Sequence, residues 1–253
     1  MSGLLSLRDV SVRFGGLVAV NQVSIDVEEA TIHSLIGPNG AGKTTVINTV
    51  TGVYKPSEGN IFFDGSPLAG MTPDRICRLG LARTFQNTEL FGEMTVADNI
   101  RVGMHAVQEY GILSASLKTP RRNASEKAIS ERVQQLLEIT NLTEAQNAEA
   151  RSLPLATSRR LELARALASN PKLLLLDEPA AGLRSGEIDE MNNTLRMLRD
   201  KLKITILLVD HVMPVVMNVS DRITVVSFGQ KIAEGTPKEV QSNPAVIAAY
   251  LGH

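Results

Sequence analysis

The sequence predicts an α/β protein: a mostly parallel sheet carrying a phosphate-binding loop, an antiparallel β portion beside it, and an inserted helical lobe. Three observations lead there. Residues 37–45, GPNGAGKTT, satisfy the pattern G-x-x-x-x-G-K-[ST] between a strand-like run at 31–36 and a stretch from Lys43 to Thr51 that can continue as a helix. Four leucines at 173–176, bounded by Asn170-Pro171 and by Asp177-Glu178, suit a central parallel strand buried on both faces. From about 87 to 152 the composition turns helical.

Taken in order, residues 4–13 and 22–28 alternate apolar and polar, the period of half-buried antiparallel strands, with Phe14-Gly15-Gly16 as a turn between them. After the glycine loop and its helix, Lys55–Gly59 is a turn and Asn60–Phe63 a strand closed by Asp64-Gly65. Thr72-Pro73 opens a short helix, with Pro at its first position. Residues 81–86, LARTFQ, read as a strand ending in Gln86. In the lobe, Ile129, Val133, Leu136 and Leu137 repeat at i, i+4, i+7, i+8, which predicts a helix over 124–139, with 111–123 as loop. A second amphipathic helix lies between Leu153 and Ala168. Strands follow at 204–209, 223–228 and 231–234, and Ser242-Asn243-Pro244 opens a terminal helix to Leu251.

Composition narrows the function classes. A chain of 253 residues can bury a sizeable core, and 43% hydrophobic with 21% charged residues is ordinary for a globular protein. The net charge of −1 offers no general attraction to nucleic acid or anionic lipid, so no nucleic-acid partner is expected. Cys77, the one cysteine, cannot form an internal disulfide and suits a reducing compartment. No run approaches the length of a membrane span, and the N-terminus reads as a strand, not a signal peptide; membrane involvement is expected only through partners.

The chemistry concentrates at strand ends. Gly37, Gly40 and Gly42 let the backbone turn its N–H groups inward as an anion nest at the positive end of a helix, with Pro38, Asn39, Ala41 and Thr45 completing the loop. Lys43 would reach the β- and γ-phosphates, and Thr44 would offer its hydroxyl to Mg²⁺. In parallel sheets ligands sit beyond the carboxyl ends of strands, so Asp177 and Glu178 would emerge beside this loop, Asp177 to hold Mg²⁺ and Glu178 to orient and deprotonate water. His211, after the strand at 204–209, either contacts the γ-phosphate or is an ordinary structural residue. Gln86 either orients water and touches Mg²⁺ or is plain surface, and Phe14 either stacks on a base or packs its turn.

In this order the residues resemble an ATP-binding cassette (ABC) ATPase over nearly the full chain. The resemblance implies that 37–45 is the Walker A loop, Gln86 the Q-loop residue and a Mg²⁺ contact, 173–177 Walker B, Glu178 the catalytic glutamate, His211 the switch histidine and Phe14 the adenine-stacking residue. It implies a nucleotide-binding core of 1–86 and 153–240 with an antiparallel β subdomain, a helical lobe at 87–152 and a tail at 241–253. The stretches RTFQNTELF (83–91), EPAAGL (178–183), AEGTP (233–237) and NPAVIAAYLG resemble the ATPase subunits of branched-chain amino-acid importers. ATP and Mg²⁺ as cofactors, a second ATPase subunit bound head-to-tail, membrane permeases and, indirectly, a periplasmic binding protein follow from the resemblance. So does a peripheral place on the cytoplasmic face of the membrane. The alternatives are a non-transport ABC ATPase and a regulatory ATP-binding subunit of low turnover.

One element departs from the family. Where it places L-S-G-G-Q, the signature that binds the partner's ATP, this chain has Leu153-Pro154-Leu155-Ala156-Thr157. Pro154 has neither hydroxyl nor N–H, and Ala156 adds a Cβ where close backbone approach matters. Loss of one charge-assisted contact costs about 1.5–3 kcal/mol. Either the site formed by these residues is weakened and a heterodimer is favoured, or the signature is divergent but working. Arg184 also stands where the family more often has Asp or Asn.

Overall fold

The computed structural model describes residues 3–84, 89–104 and 120–251. In chain order its elements are β1 (Leu5–Phe14), β2 (Leu17–Val27), β3 (Ile32–Ile36), α1 (Lys43–Val50), β4 (Glu58–Phe63), β5 (Ser66–Pro67), α2 (Pro73–Arg78) and β6 (Leu81–Arg83). Next come α3 (Val96–Met104), α4 (Pro120–Ile139), α5 (Leu155–Leu167), β7 (Leu173–Asp177), α6 (Ser185–Asp200), β8 (Thr205–Val209) and α7 (Met213–Val219). β9 (Arg222–Ser227), β10 (Gln230–Gly235), α8 (Pro237–Gln241) and α9 (Pro244–Leu251) complete it. Two compact units result: Met1–Arg83 with Lys172–His253, and Thr84–Pro171.

The first unit holds both sheets. One, in the order β2-β1-β4-β5, is antiparallel, with β1 and β2 joined by the two-residue turn at Gly15-Gly16 and Phe14 paired to Leu17. The other runs β10-β9-β3-β8-β7-β6. Its central strands are parallel, Ile32 opposite Ile206 and Leu174 opposite both Ile206 and Ala82, while β10 closes the edge antiparallel. Every residue of β3, β7 and β8 is buried, which is why the leucine run reads as continuous and not alternating. Leu5, Leu7, Val10, Val23 and Ile25 of the antiparallel sheet, Val46, Ile47 and Val50 of α1, and Leu173, Leu175, Leu207 and Val209 of the parallel sheet share one core cluster. The expected α/β class with its antiparallel portion is what forms.

Boundaries differ in several places; β4, for one, begins at Glu58, inside the expected turn at 55–59. β2 starts at Leu17, because the hairpin turn is only two residues long. β6 stops at Arg83, so Thr84 of the expected strand 81–86 lies outside it. Residues 121–123, expected as loop, belong to α4, which Pro120 starts from a position where its missing N–H costs nothing. The remainder of the expected loop at 111–119 lies outside the described residues.

The second unit is helical. Val96, Ile100 and Met104 of α3, Val133, Leu136 and Leu137 of α4, and Leu161, Ala164 and Leu167 of α5 are among its buried residues, at helical spacing on each element. Arg159 and Glu162 of α5 form a buried ion pair at 3.0 Å.

Histidine 33 gives the core a pH dependence. Its ring is buried on β3 with Nε2 2.8 Å from Thr224 Oγ1, and desolvation lowers its pKa from 6.5 to about 4. As pH falls the unfolded chain takes up this proton first. Stability therefore drops between pH 6.5 and 4, by about 3 kcal/mol in total for this group. Urea unfolding across that range, compared with His33→Gln, is expected to show the slope in the parent and a flatter curve in the variant.

Candidate functional site

The phosphate loop is built between the end of β3 and the start of α1. Ile36 closes the strand, Gly42 precedes the helix in a left-handed conformation (φ 99°), and Lys43 begins it. Gly37 has φ 155°, and a Cβ there would stand 2.0 Å from the Val226 carbonyl oxygen of β9. The loop is braced from outside: Gly229 N–H donates to the Ala41 carbonyl at 3.0 Å, and Asn21 N–H donates to the Gly229 carbonyl at 2.8 Å. Asn39, Gly40 and Thr44 are exposed at its crest, while Pro38 and Thr45 are half-buried.

These contacts set a contrast between two glycines. Gly37→Ala is expected to cost about 3 kcal/mol or more, because the β9 backbone must move. Gly40→Ala, where φ is 77° and the Cβ meets nothing within 4 Å, should cost only about 1 kcal/mol of left-handed strain. Urea denaturation of the two variants measures both.

Lys43 is buried, its Nζ donating to the carbonyls of Gly37 at 2.7 Å and Pro38 at 3.0 Å. Burial lowers its pKa, and the carboxylates of Glu178 and Asp177 oppose that shift. Both carboxylates stand at the carboxyl end of β7, on the edge of the sheet from which the loop leaves β3. Sheet order is the cause. β8 lies between β3 and β7 and all three run parallel, so the phosphate loop, Asp177-Glu178 and Asp210-His211 leave the same edge.

Asp177 ends β7, almost wholly buried. Desolvation raises its pKa, and the Arg83 guanidinium, 3.0 Å away, works against the rise. Glu178 leaves the strand with φ 52° and donates its N–H to the Val209 carbonyl at 2.7 Å, which turns its side chain off the strand line. A non-glycine residue held in this region is strained, and such positions concentrate at functional sites. Glu178 Oε1 is 3.6 Å from His211 Nδ1. Both segments are tied by Asp210, whose buried carboxylate accepts from Ala180 N–H at 3.1 Å and Val212 N–H at 2.9 Å.

The donors suit Mg²⁺. A threonine hydroxyl and a carboxylate are hard oxygen ligands, and Mg²⁺ usually takes one or two carboxylates together with phosphates and water. Among the described residues no group of three or more His, Cys, Asp or Glu is placed to hold a metal ion.

Phe14 is exposed at the hairpin tip, edge-to-face against Tyr54 with centroids 5.1 Å apart. Gln86 lies outside the described residues. In the helical unit, Pro154 and Leu155 are exposed, and Leu153, Ala156 and Thr157 are half-exposed. Pro154 occupies the N-cap of α5 without a side-chain cap. Arg184 is the N-cap of α6; an arginine side chain cannot accept, so the Glu187 carboxylate instead takes the Arg184 N–H at 2.8 Å. Sequence reasoning missed two contributors, Arg83 and the bracing role of Asp210. An acid directly before His211 was the available signal for the second.

A family model described as "ABC transporter" matches residues 20–181, and one described as "Branched-chain amino acid ATP-binding cassette transporter" matches residues 230–253. The chain is 45% identical over 98% of both chains to the high-affinity branched-chain amino acid transport ATP-binding protein BraF of Pseudomonas aeruginosa. It is 45% identical, at the same coverage, to LivG of Escherichia coli, which bears the same description. Among solved structures, an ATP-binding cassette of an ABC transporter in its ADP conformation is 31% identical over the full length of both chains, with a TM-score of 0.84.

Proposed function

The chain belongs to the ABC transporter family, and from that premise we propose that it is the ATP-hydrolysing, energy-coupling subunit of an importer for branched-chain amino acids. One observation carries the reading: phosphate loop, Asp177, Glu178 and His211 share one edge of one parallel sheet. The solute class follows from the relatives and the match at 230–253.

In the proposed cycle ATP enters at the loop crest. Lys43 exchanges the Gly37 and Pro38 carbonyls for the β- and γ-phosphates, and the loop N–H groups take the remaining charge. Phe14 offers its exposed ring to the adenine. Thr44, Asp177 and Gln86 would hold Mg²⁺, which would supply charge neutralisation at the phosphates. Glu178 accepts the proton of the attacking water, and His211 donates to the γ-phosphate.

Closure needs a second, related ATPase subunit placed head-to-tail, whose signature covers this loop while residues 153–157 face the partner's nucleotide. The altered signature favours a heterodimer in which this chain's own loop is the competent site. Residues 1–86 and 153–240 form the proposed nucleotide core, and the lobe at 87–152 transmits motion to the permeases. Residues 241–253 form a tail. Among the described residues no helix is long and apolar enough to cross a membrane. The proposed location is therefore peripheral, on the cytoplasmic face beside the permeases, with a periplasmic binding protein delivering solute from the other side.

Steady-state ATPase of the purified chain, alone and with its partner subunit, tests this. Low activity alone and a large rise in the pair are expected; equal activity in both would sink the heterodimer. In the chain alone, Pro154→Ser with Ala156→Gly should raise turnover about tenfold, the equivalent of one restored charge-assisted contact.

A further inference from the structure

Arg83 is the last residue of β6 and lies mostly out of solvent, as does Asp177, with side chains 11% and 4% exposed. Its guanidinium reaches two elements at once. Nη2 donates to Asp177 Oδ2 at 3.0 Å, and Nη1 donates to Asn48 Oδ1 at 2.7 Å and Thr51 Oγ1 at 3.3 Å. Asn48 belongs to α1 and Thr51 caps its end, and α1 is the helix that begins with Lys43 and Thr44. Burying such a pair is costly unless the geometry is good, and here the two ends of one planar fork, Nη1 and Nη2, serve both partners.

We propose that Arg83 is a positioning residue for the metal-side carboxylate, locking Asp177 to α1 so that Asp177 and Thr44 keep one mutual geometry. A helix and a strand end can shift against each other by a fraction of an ångström without unfolding, and octahedral Mg²⁺ tolerates little such error. The guanidinium removes that freedom through a rigid, bidentate-capable contact that a lysine ammonium cannot reproduce. The inference rests on reading Asp177 and Thr44 as the Mg²⁺ side of the site.

The test is Mg²⁺ titration of the full chain with a fluorescent ATP analogue, reading analogue affinity with and without the ion. For Arg83→Met the half-saturating Mg²⁺ concentration is expected to rise about tenfold, as for other residues that orient metal ligands. Affinity without Mg²⁺ should stay within about twofold, since Asp177, Asn48 and Thr51, to which Arg83 donates, all lie outside the loop at 37–45. Arg83→Lys and Asn48→Ala, each leaving part of the network, should shift the Mg²⁺ midpoint by about threefold, well below the tenfold of a lost orienting partner. Those two milder variants carry the test if Arg83→Met does not fold.

An unchanged Mg²⁺ midpoint in folded Arg83→Lys and Asn48→Ala would overturn the proposal. So would an equal loss of affinity with and without Mg²⁺, the mark of a merely structural residue. If the parent chain shows no Mg²⁺ dependence, or keeps it in Asp177→Asn, the metal reading itself fails and the proposal with it.

Discussion

Glu178→Gln is expected to lower steady-state ATP hydrolysis by about a hundredfold or more, the contribution of a positioned general base, while ATP affinity stays within about twofold. The amide keeps the shape and hydrogen-bonding reach of the acid but cannot take the water's proton. The backbone that aims it does not depend on the side chain: φ 52°, the N–H bond to Val209 and the Asp210 brace to Ala180 all remain. Loss of turnover with retained binding therefore separates proton abstraction from architecture. Single-turnover hydrolysis and equilibrium binding in the assembled transporter make the comparison. A variant retaining more than about a tenth of the parent rate would remove Glu178 from the general-base role.

Lys43→Ala should act one step earlier, weakening ATP binding by about a hundredfold, a little under 3 kcal/mol. The ammonium supplies the charge the phosphates meet, in a buried setting where a charge-assisted bond is roughly twice as strong as a neutral one. It also satisfies the Gly37 and Pro38 carbonyls, so its removal leaves buried acceptors and costs about 1–3 kcal/mol of stability. Lys43→Arg is not expected to rescue binding, because the planar fork does not fit where a compact ammonium bridges two adjacent carbonyls. Fluorescent-nucleotide titration gives the affinity and urea unfolding the stability. Near-parent affinity in Lys43→Ala would show that loop N–H groups alone hold the phosphates.

How much could be read from the chain depended on where the signal lay. Lys43 and Thr44 were legible because the motif is contiguous and its physics local: a strand, a glycine turn and a helix start within about ten residues. The leucine run of β7 was legible because burial on both faces leaves no alternation to misread. α6 was also within reach, since Met191, Leu195 and Leu198 repeat at helical spacing and are its buried apolar residues, yet the sequence reading assigns no helix there. Gln86 and the end of the strand expected at 81–86 fall outside the described residues, so their placement adds nothing to either side.

By itself, then, the sequence determined the α/β class, the strand, glycine turn and helix start around residues 37–45, and the acids and histidine that follow the buried strands. Each is carried by neighbouring residues or by a repeating apolar period. Only the tertiary structure decided that Arg83 reaches Asp177, 94 positions away, that Asp210 binds the Glu178 segment to the His211 segment, and that Gly37 lies against the Val226 carbonyl. The physical reason is strand order. β8 lies between β3 and β7, and β6 lies beyond β7, an arrangement set by packing in the core that no local pattern encodes.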